Sequence, residues 1–416
     1  MITSSSQRNL MLDVIRAFAV LIVLVHHIDG NLSVSRAEQA SFAPYAPLFV
    51  PGWVGVPIFF VLSGFLIGSL LIQEHVRTGS VNVGRFLVRR GFKIYPPFYI
   101  LLAGYILLMV AGGSRPEPER LMREILFLQN YGSGGLMDVT WSLAVEEHFY
   151  FLFAALVWLS LSLRGRSSGG PDAATQVTTA KVFGFLPSLA AGFALACLVL
   201  RIVEFAPYVS GSLDNTMKNT HHRIDALFIG AALAYLHWRG ATWRLLSQPV
   251  WKVTAITLTL TTFVLVALSG GSSIDRFHKV TWLYLLVSLA TSYVVYLALV
   301  WQGRSHALLK GLASVGTASY CIYLVHIPVY RVVAKLSFFQ SLPYPLAAKI
   351  FCALLLAIVV GFVMTRIVEV PFLQLRNRLF PSTTTALGTP GPAGSLPPGK
   401  AAAPGPPPEP PPNQIS

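Results

Sequence analysis

The sequence predicts an all-α, polytopic integral membrane protein: about ten transmembrane helices, then a disordered Pro-rich C-terminal tail. Three observations carry that prediction. Of 416 residues, 54% are hydrophobic and only 12% are charged, whereas a soluble globular domain carries about 25% charged residues. Mean hydropathy is +0.61. Apolar runs of the roughly 20 residues needed to cross a bilayer recur through most of the chain. The net charge of +14 sits mostly in short loops between these runs, the pattern of membrane topology. No nucleic-acid-binding motif accompanies it, which excludes a nucleic-acid partner.

Ten spans are expected near 11–28, 53–73, 94–112, 141–163, 182–203, 222–238, 252–269, 281–301, 313–334 and 345–368. The first contains Asp13, Arg16, His26 and His27 and shows no small-residue cleavage site, so it is read as a helix that stays rather than a leader. The sixth is short. The stretch 121–130 is too short to span and is expected as a surface or re-entrant helix. Residues 1–380 are expected to form one transmembrane domain. The tail 381–416 holds 12 prolines in 36 residues; it cannot bury a core and is expected to be disordered. Cys197, Cys321 and Cys352 lie in apolar runs without CxxC spacing and are expected as packed thiols.

Loop charge predicts orientation. From Glu74 to Lys93 there are five basic residues, Arg77, Arg85, Arg89, Arg90 and Lys93, against one acidic. From Gly113 to Thr140 three basic residues face four acidic ones. Positive loops stay inside, so the N-terminus, the second–third loop and the C-terminus are expected in the cytoplasm. The loop 331–349 is basic and would lie outside, against the pattern.

Arg16 and His27 are 11 residues apart. At 100° and 1.5 Å per residue they share one helix face, about 16 Å apart along the axis. An ionisable residue inside a bilayer costs several kcal/mol and is a functional-site hypothesis by default. The alternative is an arginine that snorkels and histidines at the far interface. In the functional reading His27 is a general base, because imidazole titrates near neutrality. His26 sits about 100° around the helix.

The fourth span opens Trp141-Ser142-Leu143-Ala144-Val145-Glu146-Glu147. Two adjacent glutamates in an apolar helix point in different directions. One reading is a structural ion pair. The other is a carboxylate, Glu146, that orients and charges His27. Arg89, Arg90 and Lys93 mark topology or hold the phosphates of a nucleotide-bearing cofactor. Histidines 221, 222 and 326 invite a metal. The first two are adjacent rather than one helical turn apart, and no cysteine or carboxylate cluster stands beside them in the sequence, so no metal is expected.

These motifs together resemble the membrane acyltransferase-3 family, related to O-antigen and exopolysaccharide O-acetyltransferases. The resemblance covers about residues 10–380. Its carriers are Leu12-Asp13 with Arg16 and His27; Phe59-Phe60-Val61-Leu62-Ser63-Gly64-Phe65-Leu66-Ile67; Arg90 with Lys93-Ile94-Tyr95-Pro96; Trp141-Ser142-Leu143 with Glu146 and Phe149-Tyr150; Arg223, Asp225 and Leu227; Ser319-Tyr320 with Tyr323-Leu324 and His326; and Glu369 with Pro371-Phe372. The resemblance implies a ten-helix core that moves an acyl group, usually acetyl, from cytoplasmic acyl-CoA to a hydroxyl of an extracytoplasmic glycan. It implies that Arg16 and His27 are essential and that the paired cations after the second span hold the donor. Lys93 stands where the family usually has arginine; it keeps the charge and loses the bidentate fork. Some relatives carry a fused hydrolase-like domain after the membrane core. Here a short Pro-rich tail follows, so the core is expected to finish the transfer or pass the acyl group to a separate partner.

The resulting assignment makes His27 and Glu146 catalytic. It gives Arg16, Arg90, Lys93 and Tyr95 to acyl-CoA, with acetyl-CoA the expected donor. It gives Trp141, Ser142, Arg223, Asp225, Tyr320 and His326 to the acceptor. The expected location is the bacterial inner membrane, in contact with lipid and a glycan or lipid-linked glycan. Two rival readings stand beside it: an acyltransferase acting on a small or lipid acceptor such as a macrolide-like metabolite, and a proton-coupled transporter in which the intramembrane charges form a relay.

Overall fold

Helix follows helix from α1 (Leu10–His26) to α14 (Val370–Leu379), and no strand occurs among the described residues. A computed structural model describes residues 9–28, 31–32, 50–132, 134–164, 173–205, 216–269, 276–341 and 345–381. The Pro-rich tail beyond Pro381 lies outside them.

α1 begins at Asn9, whose side-chain oxygen accepts from the Met11 amide at 2.9 Å; such a cap satisfies one of the helix's free amides. α2 (Gly55–Thr78) ends on Gly79 at φ 71°, a left-handed conformation that glycine adopts without strain. α3 (Val83–Ala111) carries Pro96 and Pro97 inside it, so it forgoes two backbone hydrogen bonds one turn after the Arg90–Lys93 region. α4 (Pro118–Ile125) overlaps the short helix expected near 121–130 and ends at its midpoint. Next come α5 (Trp141–Arg164), α6 (Ala173–Phe183), α7 (Leu186–Phe205), α8 (Asp225–Trp238), α9 (Pro249–Leu268) and α10 (Tyr284–Val300). α11 (Ala307–Thr317), α12 (Ser319–Ala334) and α13 (Pro345–Met364) complete the set before α14.

Seven stretches among the described residues are long and apolar enough to cross a membrane: Gly52–Thr78, Val83–Ala111, Asp138–Arg164, Ala173–Phe205, Pro249–Leu268, Lys279–Val300 and Leu346–Leu379. The pair α11 and α12, bent by 70°, makes an eighth if it is one span. The other two expected spans form shorter helices, 17 residues in α1 and 14 in α8. These measure about 25 Å and 21 Å, less than the roughly 30 Å of a hydrocarbon core. Both are inner helices: Ala17, Val20 and Leu24 of α1, and Leu227, Phe228 and Ala231 of α8, are fully buried. Protein covers them, so they need not match lipid thickness. The outer helices show the opposite pattern, with Leu163 75% and Phe263 72% exposed.

Small residues let the inner helices approach. A Cβ added at Gly64 of α2 would lie 1.9 Å from the Leu227 carbonyl oxygen of α8. One added at Gly316 of α11 would lie 1.8 Å from the Asp13 carbonyl oxygen of α1. Side-chain-free contact of this kind is how membrane helices gain packing without a hydrophobic driving force. The Gly316 contact lies two residues before the 70° bend between α11 and α12. The three cysteines are free thiols, with Cys197 and Cys321 buried.

Candidate active site

The bend opens a cavity of about 100 Å³. α1 contributes Arg16, α2 contributes Phe59, Phe60 and Ser63, and α3 contributes Arg90 and Lys93. α5 supplies Ser142, Glu146 and Tyr150; Thr317, Ser319, Tyr320 and Tyr323 come from either side of the bend. Irregular backbone at membrane depth survives where it lines such a cavity.

Three cations, Arg90, Arg16 and Lys93, act on the single carboxylate Glu146. Glu146 Oε2 accepts from the Tyr150 hydroxyl at 2.6 Å, and Tyr150 Oη lies 3.0 Å from Ser63 Oγ. The Arg90 guanidinium stands 5.5 Å from the Tyr150 ring centroid, within cation–π range. Arg16 Nη1 lies 3.9 Å from Asp13 Oδ1 one turn away. The cavity therefore holds more positive than negative charge, which favours an anionic guest.

Ser142 Oγ and Tyr323 Oη are 2.9 Å apart, and Tyr323 Oη also donates to the Val139 carbonyl at 2.8 Å. Tyr320 Oη donates to the Ile94 carbonyl at 2.7 Å, tying α12 to the proline-weakened part of α3. Tyr323 forms the junction with a second cluster. Its ring centroid is 5.5 Å from that of His326, and His326 Nε2 lies 3.3 Å from His27 Nδ1.

The structure places on one cavity wall Arg16, Arg90 and Lys93, expected at the donor, Glu146, expected at His27, and Ser142 and Tyr320, expected at the acceptor. It separates others. Glu146 does not orient His27; its hydrogen bond goes to Tyr150, and the partners of His27 Nδ1 are His326 and the Val23 carbonyl at 3.0 Å. Tyr95 is not on the cavity wall: its hydroxyl donates to buried Glu147 at 3.0 Å, joining α3 to α5. Asp225 forms a fully buried ion pair with Arg201 at 2.8 Å; removing one partner of such a pair costs roughly 3–5 kcal/mol, so its evident work is in the fold. Arg223 lies 3.7 Å from the Tyr284 ring centroid and 5.2 Å from that of Trp141, with Nε donating to the Met217 carbonyl. Arg223 and Trp141 thus pack on each other away from the cavity.

Ser63, Tyr150 and Tyr323 were missed as site residues although each stands in a motif the sequence displays. Their signal was a hydroxyl inside an apolar run. Arg201 gave a similar signal, a lone arginine within α7. The expected isolation of His221 and His222 is also corrected, since α7 delivers Glu204. His222 Nε2 lies 2.9 Å and His221 Nε2 3.6 Å from its carboxylate, and all three ligand atoms fall within 4.8 Å. Burial, reinforced by neighbouring His221, pushes His222 down to about 4. Glu124, buried in the 113–140 loop, is raised by burial against the hydrogen bonds it accepts from Thr140, Met137 and Leu136.

Comparison with known proteins adds an independent finding. The family described as "Acyltransferase domain" matches residues 9–366. O-acetyltransferase OatA of Staphylococcus aureus strain NCTC 8325 is 24% identical over 346 residues, covering 76% of this chain and 50% of that protein. The protein SACOL0978 of S. aureus strain COL is 24% identical over 386 residues, covering 87% of this chain and 56% of its own. The chain therefore spans about half the length of the curated relatives it matches. No solved structure matches.

Proposed function

The chain belongs to the acyltransferase domain family, and on that premise we propose that it transfers an acyl group, acetyl in the first instance, from cytoplasmic acyl-CoA to a hydroxyl of an extracytoplasmic carbohydrate. The observation that carries this reading is the cavity in which Arg16, Arg90 and Lys93 gather around Glu146 and Tyr150. Its excess positive charge suits the phosphates of a CoA donor. A hydroxyl acceptor accords with OatA being an O-acetyltransferase, and carbohydrate as its bearer follows from the resemblance.

In this reading His27 removes the acceptor's hydroxyl proton as that oxygen attacks the thioester carbonyl carbon. The C–S bond breaks, the ester forms, and the proton returns to the CoA sulfur. General-base help of this kind is worth about 10²–10⁴-fold. Glu146 holds the cations in place and is displaced from its charge balance when the donor's phosphates arrive. The basic second–third loop supports placing the Arg90–Lys93 end, and both chain ends, at the cytoplasmic face of a bacterial inner membrane.

The test is acetyl-CoA turnover by the purified protein in liposomes with a mixed-glycan acceptor. Wild type should transfer acetyl, His27→Ala should lose transfer, and Arg90→Gln should raise KM for acetyl-CoA. Wild-type protein that consumes no acyl-CoA under these conditions would overturn the reading.

A further inference from the structure

We propose that His326 is the positioning residue for His27, the task that sequence reasoning gave to Glu146. The inference rests on the reading of His27 as the base, and it follows from which ring atoms carry hydrogen. His326 Nδ1 lies 2.5 Å from the Tyr323 carbonyl oxygen. A carbonyl only accepts, so His326 Nδ1 carries the proton, and the neutral ring presents a bare Nε2. That Nε2 lies 3.3 Å from His27 Nδ1, which also lies 3.0 Å from the Val23 carbonyl. Two separate acceptors face His27 Nδ1, and both require a proton there. The lone pair of neutral His27 is then on Nε2, the atom that must act as base.

The surroundings hold this arrangement. His326 is fully buried, and its ring packs edge-on against Tyr330 at 5.7 Å. The Tyr330 hydroxyl donates to the Leu24 carbonyl at 2.9 Å, one turn before His27, and docks α12 on α1. The charges acting on His27 are Asp138 and Lys218, and these pair with each other at 2.6 Å. No carboxylate hydrogen-bonds His27 among the described residues. When His27 takes a proton on Nε2, its Nδ1–H becomes a stronger donor and His326 Nε2 disperses the new charge. An imidazole does this without the cost of a lone carboxylate in an apolar core.

Two variants of similar volume separate this role from packing. His326→Gln retains an acceptor oxygen on the side chain, whereas His326→Leu has none. Both are assayed for acetyl transfer in liposomes beside wild type and His27→Ala. His326→Leu should lower kcat by about 10²–10⁴-fold, the range for losing a base or its orienting partner, with KM for acetyl-CoA within about twofold. His326→Gln should recover at least tenfold of that loss. The double variant His27→Ala/His326→Leu should be no slower than His27→Ala alone, because residues acting as a unit are not additive. Equal losses in Leu and Gln, a loss in KM alone, or an additive double variant would overturn the proposal. Full activity in His27→Ala would instead overturn the functional reading on which it rests.

Discussion

A buried imidazole beside a second histidine resists protonation even with a carboxylate at hand, and His222, next to His221 and Glu204, is the case outside the membrane-spanning helices. Its folded value of about 4 lies below the ordinary 6.5. The unfolded chain therefore binds a proton that the folded chain refuses. Stability from this group is present above about pH 6.5 and is lost as pH falls toward 4. The melting temperature of the purified protein in detergent should be flat at neutral pH and fall through that window. His222→Gln, which cannot titrate, should give a shallower fall; an identical slope would remove His222 as the cause. Legibility at this scale was partial. Arg16, Arg90, Lys93 and Glu146 stand out in the sequence because a charge in an apolar run is conspicuous. Tyr150 and Tyr323 do not, because a phenol is ordinary in such a run until its hydroxyl finds a partner.

The elements assemble where side chains are absent as much as where they are present. Gly316 and Gly311 sit in the same helix, α11, yet only the first is crowded: a Cβ there would meet the Asp13 carbonyl at 1.8 Å, while one at Gly311 meets nothing within 4 Å. Gly316→Val should lower stability by at least 1–3 kcal/mol, the cost of overpacking, and should disturb the cavity by moving α11 away from Arg16. Gly311→Ala should be neutral or slightly stabilising, since alanine is the better helix former by up to about 1 kcal/mol. Thermal melts of both variants in detergent check the contrast. A benign Gly316→Val would show that α1 and α11 do not approach this closely. Helix positions were legible from hydropathy nearly throughout. The shortness of α8 was legible too; that of α1 was not, because burial inside protein permits apolar helices that need not match lipid thickness.

At the scale of the molecule, the described chain up to Phe380 is one compact unit and a multi-pass membrane protein by its seven or eight apolar helices. Orientation is testable directly. In a background without the native cysteines, Arg77→Cys should react with a membrane-impermeant maleimide only after cells are opened, and Glu117→Cys should react in intact cells. The reverse pattern would invert the topology drawn from loop charge and place the cationic cavity mouth on the wrong side for a cytoplasmic donor. The sequence by itself determined the fold class, the order of apolar segments and the identity of the charged residues within them. These properties are local: hydropathy is read over some twenty residues and charge over one. Only the tertiary structure decided which groups meet. Glu146 faces cations and Tyr150 rather than His27, Asp225 is spent on Arg201, and His27 finds His326, 299 residues away. Apart from Tyr150, one turn along the same helix from Glu146, those pairings depend on helix rotation, on glycine-width approaches and on one 70° bend, and no spacing within a single segment encodes them.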